Sequence, residues 1–145
     1  MTDRRQFLQA GVLAAGALAL PRAGARAAGG ARVVSTWDFG VGANQAAWKV
    51  LAGGGSALDA VEAGARWAES ELCNPTVGRC GNPDRDGVLS LDASIMDGDG
   101  RCGSVAALTD ILHPVSVARK VMENTPHVML VGQGAQQFAV AQGFE

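Results

Sequence analysis

Few side chains in this 145-residue sequence are of a kind that does chemistry, and their spacing narrows what they can do. The two histidines are far apart: His113 precedes a proline and His127 opens an apolar run, which suits structural positions better than a base or a metal ligand. Cys73, Cys80 and Cys102 match no zinc spacing, and the histidines do not complete one. Cys73 and Cys80 share a Gly/Pro-containing loop, so an oxidising compartment would permit a local disulfide; free thiols are the alternative that the spacing leaves open. Asp84, Asp86, Asp97 and Asp99 lack the remainder of a calcium loop and its closing glutamate, and read as solvated turn carboxylates. Gly132-Gln133-Gly134 lacks the third glycine of a dinucleotide loop, while Gly53-Gly54-Gly55 follows a helical stretch and reads as its cap rather than as a phosphate cradle.

Two positions hold more interest. Trp37 stands beside Asp38 and Gly40 where a loop should leave the end of a strand; an aromatic there can wall a pocket, although a core tryptophan is the simpler reading. Thr76 lies in a long loop before Val77-Gly78. Its hydroxyl could hold a partner across a cleft, but taken alone it more simply closes a local turn.

The elements that must position these residues follow from pattern. Residues 31–35 are β-rich and predict a first strand ahead of Trp37. Residues 44–51 favour a helix that Gly53 stops. Ser56 with Asp59 three residues on is a capping-box start for a helix over 57–69, with Leu58, Val61, Ala65 and Ala68 along one stripe. Residues 71–87 hold two prolines and several glycines and predict a long loop of the kind that often carries function. From Val88 to Ala107 the pattern is a hairpin at the middle of a sheet. Leu89, Leu91, Ala93 and Ile95 alternate with polar residues, and Asp97-Gly98-Asp99-Gly100 supplies the turn. The small residues of the return leg would let a helix or a second sheet approach closely. Pro114 near the first helical position opens a helix to about Glu123, with Val117, Ala118, Val121 and Met122 inward. Residues 127–131 read as a short, fully buried strand, and a last helix covers 135–142. An antiparallel hairpin in mixed order predicts an α+β or layered sheet protein rather than a doubly wound one.

Composition sets outer bounds. Hydrophobic residues make up 48% of the chain, sufficient for a core, and a net charge of −2 gives no electrostatic support for nucleic-acid binding. Arg4-Arg5 in a polar N-terminal stretch, the apolar segment 10–20 and Ala25-Arg26-Ala27 occur in the order of a twin-arginine export signal with its cleavage site. The expectation is a signal peptide over residues 1–27, a folded portion over 28–145, and a periplasmic or secreted protein. The apolar segment is too short to span a bilayer as a helix; an N-terminal membrane anchor is the alternative to export, and no membrane or nucleic-acid partner is expected.

Read together, Val34-Ser35-Thr36-Trp37-Asp38-Phe39-Gly40, Ala47-Trp48-Lys49-Val50-Leu51 and Gly55-Ser56-Ala57-Leu58-Asp59-Ala60-Val61-Glu62 are similar to the opening of the glycosylasparaginase family, N(4)-(β-N-acetylglucosaminyl)-L-asparaginase. The similarity continues through Thr76-Val77-Gly78, Pro83 to Gly87, Leu91 to Asp97, Gly103 to Ala106, Val117 to Glu123 and Thr125 to Gly132, in the family's order. The resemblance implies an N-terminal-nucleophile hydrolase with a four-layer αββα sandwich, incomplete in this chain. It also implies a precursor that cuts itself into an α chain and a β chain. The β chain's new N-terminal threonine attacks the side-chain amide of asparagine with its own α-amino group as base. It implies no cofactor and no metal. The implied partner is a β chain, in a heterodimer or a dimer of heterodimers, and the implied substrate is a small glycoasparagine or β-aspartyl compound. Trp37 matches the family's pocket-lining tryptophan, and Thr76 matches a Ser/Thr whose hydroxyl contacts the nucleophile.

Two departures matter. No threonine of this sequence follows the His-Asp pair that precedes the nucleophile in the family, so no catalytic residue is expected within it, and the sequence is expected to stop inside the α chain. Without the partner strands, the sheet is expected to be poorly stable alone. Arg79-Cys80 stands where relatives usually have an aromatic and a glycine, so the resemblance does not fix the shape of the loop beside Thr76 or the role of Cys80. A plant-type asparaginase or isoaspartyl peptidase is the rival within the superfamily; those begin with an Ile-His-Gly-Gly-like stretch, unlike Ser35 to Gly40 here. A truncated, non-catalytic remnant is the rival outside enzymology.

Overall fold

The computed structural model describes residues 30–71 and 73–145. The export signal expected over residues 1–27 lies outside them.

In chain order the elements are helix α1 (Gly40–Ala52), helix α2 (Ala57–Ser70), a 3-10 turn (Gly78–Cys80), strands β1 (Leu91–Met96) and β2 (Cys102–Leu108), helix α3 (Pro114–Asn124), strand β3 (Met129–Val131) and helix α4 (Gly132–Ala141). The three strands form one sheet in the order β1-β2-β3, with β1 antiparallel and β3 parallel to β2. The chain is therefore α+β, as expected; the described residues contain this single sheet, and the paired sheets of a sandwich are not among them.

The hairpin turn forms for the anticipated reason. The Asp97 N–H donates to the Arg101 carbonyl at 2.9 Å, the Gly100 N–H to the Asp97 carbonyl at 3.2 Å, and Gly100 takes φ +84°. Asp97 Oδ1 accepts from the Asp99 and Arg101 N–H groups, so the carboxylate staples the turn from its own side chain. The strands are less regular at their other end. Ala93 pairs with Val105 but Leu91 pairs with Leu108, so β2 carries one extra residue there. Ala107 adopts φ +53°, and its N–H donates to Asp92 Oδ1 at 2.7 Å instead of to the ladder.

One face of the sheet is covered. Ile95, Val105 and Leu108 pack with Val117, Ala118 and Val121 of α3 and Ala135 and Ala139 of α4 in a single buried cluster. Gly103 is what brings α3 so near: a Cβ there would meet the Ala118 carbonyl and the Met122 N–H. The small return leg of the hairpin thus does admit a helix. The other face, with Ser94 and Met96, is exposed.

Three expectations need correction. Residues 31–35 form no strand: the run is extended in pattern, but no described strand pairs with it, and Val34 is exposed. Residues 127–131 are not a fully buried strand. Only Met129–Val131 pairs, on one side, and Val128, Met129 and Val131 are exposed because β3 lies at an edge of the described sheet. The hairpin is not wholly central either; β2 is central, and β1 lies at an edge.

Helix α2 begins with the reciprocal cap that its sequence predicts. Asp59 N–H donates to Ser56 Oγ at 3.1 Å and Ser56 N–H to Asp59 Oδ2 at 3.3 Å. Of its expected stripe, Leu58 and Ala65 pack against the buried cluster, but the most buried positions lie beside that stripe. Ala60 and Gly64 are buried while Val61 is exposed. Gly64 lies so close to α1 that a Cβ there would come within 2.9 Å of the Ala43 carbonyl. Close approaches from both sides set the face of α2 that meets α1: Gly64 lies against the Ala43 carbonyl, and the Trp67 indole lies where a Cβ on Gly42 would be.

Candidate active site

Trp37 is held by short local ties. Ser35 Oγ bonds to Asn44 Oδ1, fastening the extended segment to α1. The Gly40 N–H donates to the Trp37 carbonyl at 2.9 Å, so the chain turns into α1 directly after the tryptophan. Its indole is not a core residue: it is 67% exposed and stacks on Phe39, with ring centroids 6.4 Å apart and planes 15° apart. Beside it lies a cleft of about 310 Å³, lined by Thr36, Trp37 and Phe39 on one side and by Ala43, Val61 and Ala65 of the two helices on the other. Two stacked aromatic faces bordering an apolar cleft can accept the flat or apolar face of a small ligand.

Thr76 is not among the residues lining that cleft. Its side chain donates to Asn74 Oδ1 at 2.6 Å, and its N–H donates to the same oxygen at 2.8 Å. This is the local turn bond that the loop's residue types suggest, and it leaves the hydroxyl oxygen on an exposed residue. Cys73 and Cys80, whose Cα atoms are 5.1 Å apart, form a disulfide that closes a ring around Asn74 and Thr76. The disulfide alternative is therefore the one realised, and Cys102 is the free thiol among the described cysteines.

The ring is keyed to the helices through Glu69, which the sequence reading overlooked. Gly78, at φ +67°, presses on the Glu69 backbone so closely that no Cβ fits there. The Glu69 side chain, 8% exposed, accepts from the Val115 N–H at 3.0 Å and meets His113 Nδ1 at 3.1 Å. His113 makes no side-chain cap on α3, so the carboxyl of another helix satisfies an N–H that the first turn of α3 leaves open. Burial pushes the Glu69 carboxyl up to about 7; the Val115 N–H and the Arg66 charge pull the other way, and Glu62 adds to the rise. Burial also lowers His113, as does Arg66, while Glu62 opposes them. The histidine is thus structural, as expected, but its partner lies in a helix far from it in sequence. A glutamate in the last turn of an otherwise Ala-rich helix was the available signal.

Next to that pair, Ser116 donates to Glu62 and accepts from Arg66 at 2.8 Å. Arg119 reaches Asp59, Glu62 and Glu123, each at 2.7 Å. Hydrogen bonds donated to Glu123, Asp59 and Glu62 make the guanidinium hold its proton more tightly than usual. Helix α2 therefore presents two unlike faces, small residues and Trp67 to α1 and charged residues to α3. No group of acidic, histidine and cysteine side chains suited to a metal ion occurs among the described residues.

Comparison with known proteins bears directly on this arrangement. The asparaginase family profile matches residues 12–145, and so includes the Trp37 cleft and the Thr76 ring. The chain belongs to the asparaginase family. An N(4)-(β-N-acetylglucosaminyl)-L-asparaginase of Elizabethkingia miricola is 58% identical over 113 residues, covering 78% of this chain and 33% of the relative. That of Rattus norvegicus is 51% identical over 113 residues, 77% of this chain and 32% of the relative. A probable isoaspartyl peptidase/L-asparaginase of Arabidopsis thaliana is 40% identical over 112 residues, 77% of this chain and 31% of the relative. The chain spans about a third of the length of these relatives. Within the asparaginase-family chain, the structure brings Trp37 to a cleft and Thr76 to a cross-linked turn, and it leaves each of them open to solvent.

Proposed function

We propose that this chain is the N-terminal portion of an exported glycosylasparaginase-type amidohydrolase, acting on the amide bond of N4-(β-N-acetylglucosaminyl)-L-asparagine. The observation that carries the reading is the gradient of identity: 58% and 51% to relatives named for that activity, against 40% to one named as an isoaspartyl peptidase/L-asparaginase. The same gradient makes the plant-type reading the weaker of the two.

In this reading the nucleophile is the N-terminal threonine of a complementary β chain. Its α-amino group removes the hydroxyl proton, because a threonine hydroxyl attacks an amide poorly unless a base is at hand. Attack on the side-chain carbonyl expels the glycosylamine and leaves an aspartyl ester, which water hydrolyses to aspartate. Both steps pass through an oxyanion that needs oriented donors. Trp37 lines the substrate pocket, and the exposed indole over its cleft supports that role. Thr76 meets the nucleophile, and its exposure on an anchored turn supports that contact. Arg4-Arg5 and the apolar stretch after them support export to the periplasm or beyond.

The test is aspartate release from a β-aspartylglycosylamine. The purified 145-residue chain alone should give none, and the chain assembled with a complementary chain that begins with threonine should give turnover. Turnover by the single chain would overturn the assignment of the nucleophile. An assembled enzyme that cleaves β-aspartyl dipeptides but not the glycosylamine would replace this reading with the plant-type one.

A further inference from the structure

The Thr76 turn contains an atomic detail that decides how its hydroxyl can act. Asn74 Oδ1 lies 2.8 Å from the Thr76 N–H. A backbone N–H can only donate, so the atom facing it must be the amide oxygen and not the amide nitrogen. The same oxygen lies 2.6 Å from Thr76 Oγ1. A carbonyl oxygen cannot donate, so the hydroxyl must give its single proton to Asn74. The rotor is thereby fixed, and the Thr76 oxygen is left with lone pairs only on its outward side.

Three features hold this arrangement in place. The Cys73–Cys80 disulfide closes the ring that contains both residues. Asn74 and Val77 bridge across the turn. Gly78 seats the ring on the backbone of Glu69, whose carboxyl is itself tied to α3. Thr76 nevertheless remains exposed, so the outward lone pairs are available to a second chain.

We propose that Asn74 is a positioning residue: its amide oxygen accepts the hydrogen bond of the Thr76 hydroxyl and so presents Thr76 to the reacting threonine solely as a hydrogen-bond acceptor. This rests on the reading above, in which Thr76 meets the nucleophile. An acceptor there would orient an O–H or N–H of the N-terminal threonine; a freely rotating hydroxyl would spend part of its time donating and would compete for the lone pair that must attack. The effect belongs to the chemical step rather than to substrate binding, so it falls on kcat and leaves KM.

The experiment uses the chain assembled with its complementary threonine-bearing chain and compares three variants. Thr76→Val should lower kcat by at least about tenfold, the equivalent of one well-placed hydrogen bond. Asn74→Leu, similar in size but without an acceptor, should lower kcat by a comparable factor with KM unchanged. Asn74→Asp keeps an acceptor for both protons and should restore kcat to near the parent value. Leu removes the acceptor of both the Thr76 hydroxyl and its N–H while Asp keeps both, so rescue by Asp alone shows that the acceptor at Asn74, and not the amide nitrogen or the side chain's bulk, is what kcat needs. Wild-type kcat in Asn74→Leu, or equal loss in Asn74→Asp and Asn74→Leu, overturns the proposal while leaving the Thr76 reading intact provided that Thr76→Val is impaired. Full activity of Thr76→Val removes the reading itself, and the proposal with it.

Discussion

The sheet with α3 and the ring around Thr76 are held by different forces. In the first, Val105, Leu108, Val117 and Val121 are almost wholly removed from water, and the contact is apolar throughout. In the second, the ring's residues are exposed or half-exposed except for Gly78, and the ties are a disulfide, an asparagine side chain and one close backbone approach. Apolar burial is strong but undirected, and it fixes a fold; covalent and hydrogen-bonded ties are local and directional, and they fix an atom. A scaffold needs the first kind of restraint, and a hydroxyl that must face one way needs the second.

That contrast can be broken by truncation. Leu108→Ala should have the largest effect, a loss of roughly 2–5 kcal/mol in unfolding free energy, because the buried cluster cannot collapse around the void. Urea denaturation of the assembled protein would measure it, and a change below 1 kcal/mol would mean that this cluster is not the mechanical centre of the fold.

The joint between the two regions is Glu69, and it should respond to pH. Its carboxyl, pushed up to about 7, keeps a proton in the folded chain that the unfolded chain has released above its ordinary value near 4.5. Stability contributed this way is complete below pH 4.5 and falls as pH rises through 7, by an amount on the order of 1–3 kcal/mol. His113, lowered by burial, has the opposite sense, losing stability as pH falls below 6.5. Glu69→Gln keeps an acceptor for the Val115 N–H and removes only the first slope. Melting temperatures between pH 5 and pH 8 should therefore decline less in the variant; identical profiles would place the pH response elsewhere.

Much of this was legible in advance, where neighbours in sequence settle the matter. Ser56 and Asp59 announce the start of α2, Pro114 that of α3, and Asp97 to Gly100 the hairpin turn, because each acts on backbone groups within a few residues. What escaped depends on partners distant in the chain. Residues 31–35 have strand composition, but a strand exists only against another strand. Which face of α2 meets α1 depends on close approaches between the two helices, Gly64 to the Ala43 carbonyl and Trp67 to Gly42. Glu69 and His113 meet only after α2 and α3 have packed. Of the candidate site, Trp37 and Thr76 stand out only through resemblance; their residue types alone favour a core indole and a turn hydroxyl. The indole proved exposed, and the turn hydroxyl proved real.

Two smaller effects sharpen the comparison. Ser56→Ala removes the cap of α2 and should cost about 1 kcal/mol, measurable in the same urea titration; the loss lies between those of core and surface. Trp37→Ala should change stability by no more than about 0.5 kcal/mol, since the indole is largely in water, although KM for glycoasparagine should rise in the assembled enzyme. A large loss of stability in that variant would place Trp37 in the scaffold after all.

The extra residue in β2 opposite Asp92 also acts as an alignment key. Along β1 the side chains alternate, Ile95 inward and Met96 outward. A slip of one position against β2 would exchange them and put the whole hydrophobic set in water. The turn at Asp97 sets the alignment at one end of the hairpin, and the Asp92 carboxylate on the Ala107 N–H checks it at the other. A misaligned hairpin would leave that N–H without its carboxylate, so the two strands have one pairing that satisfies both ends.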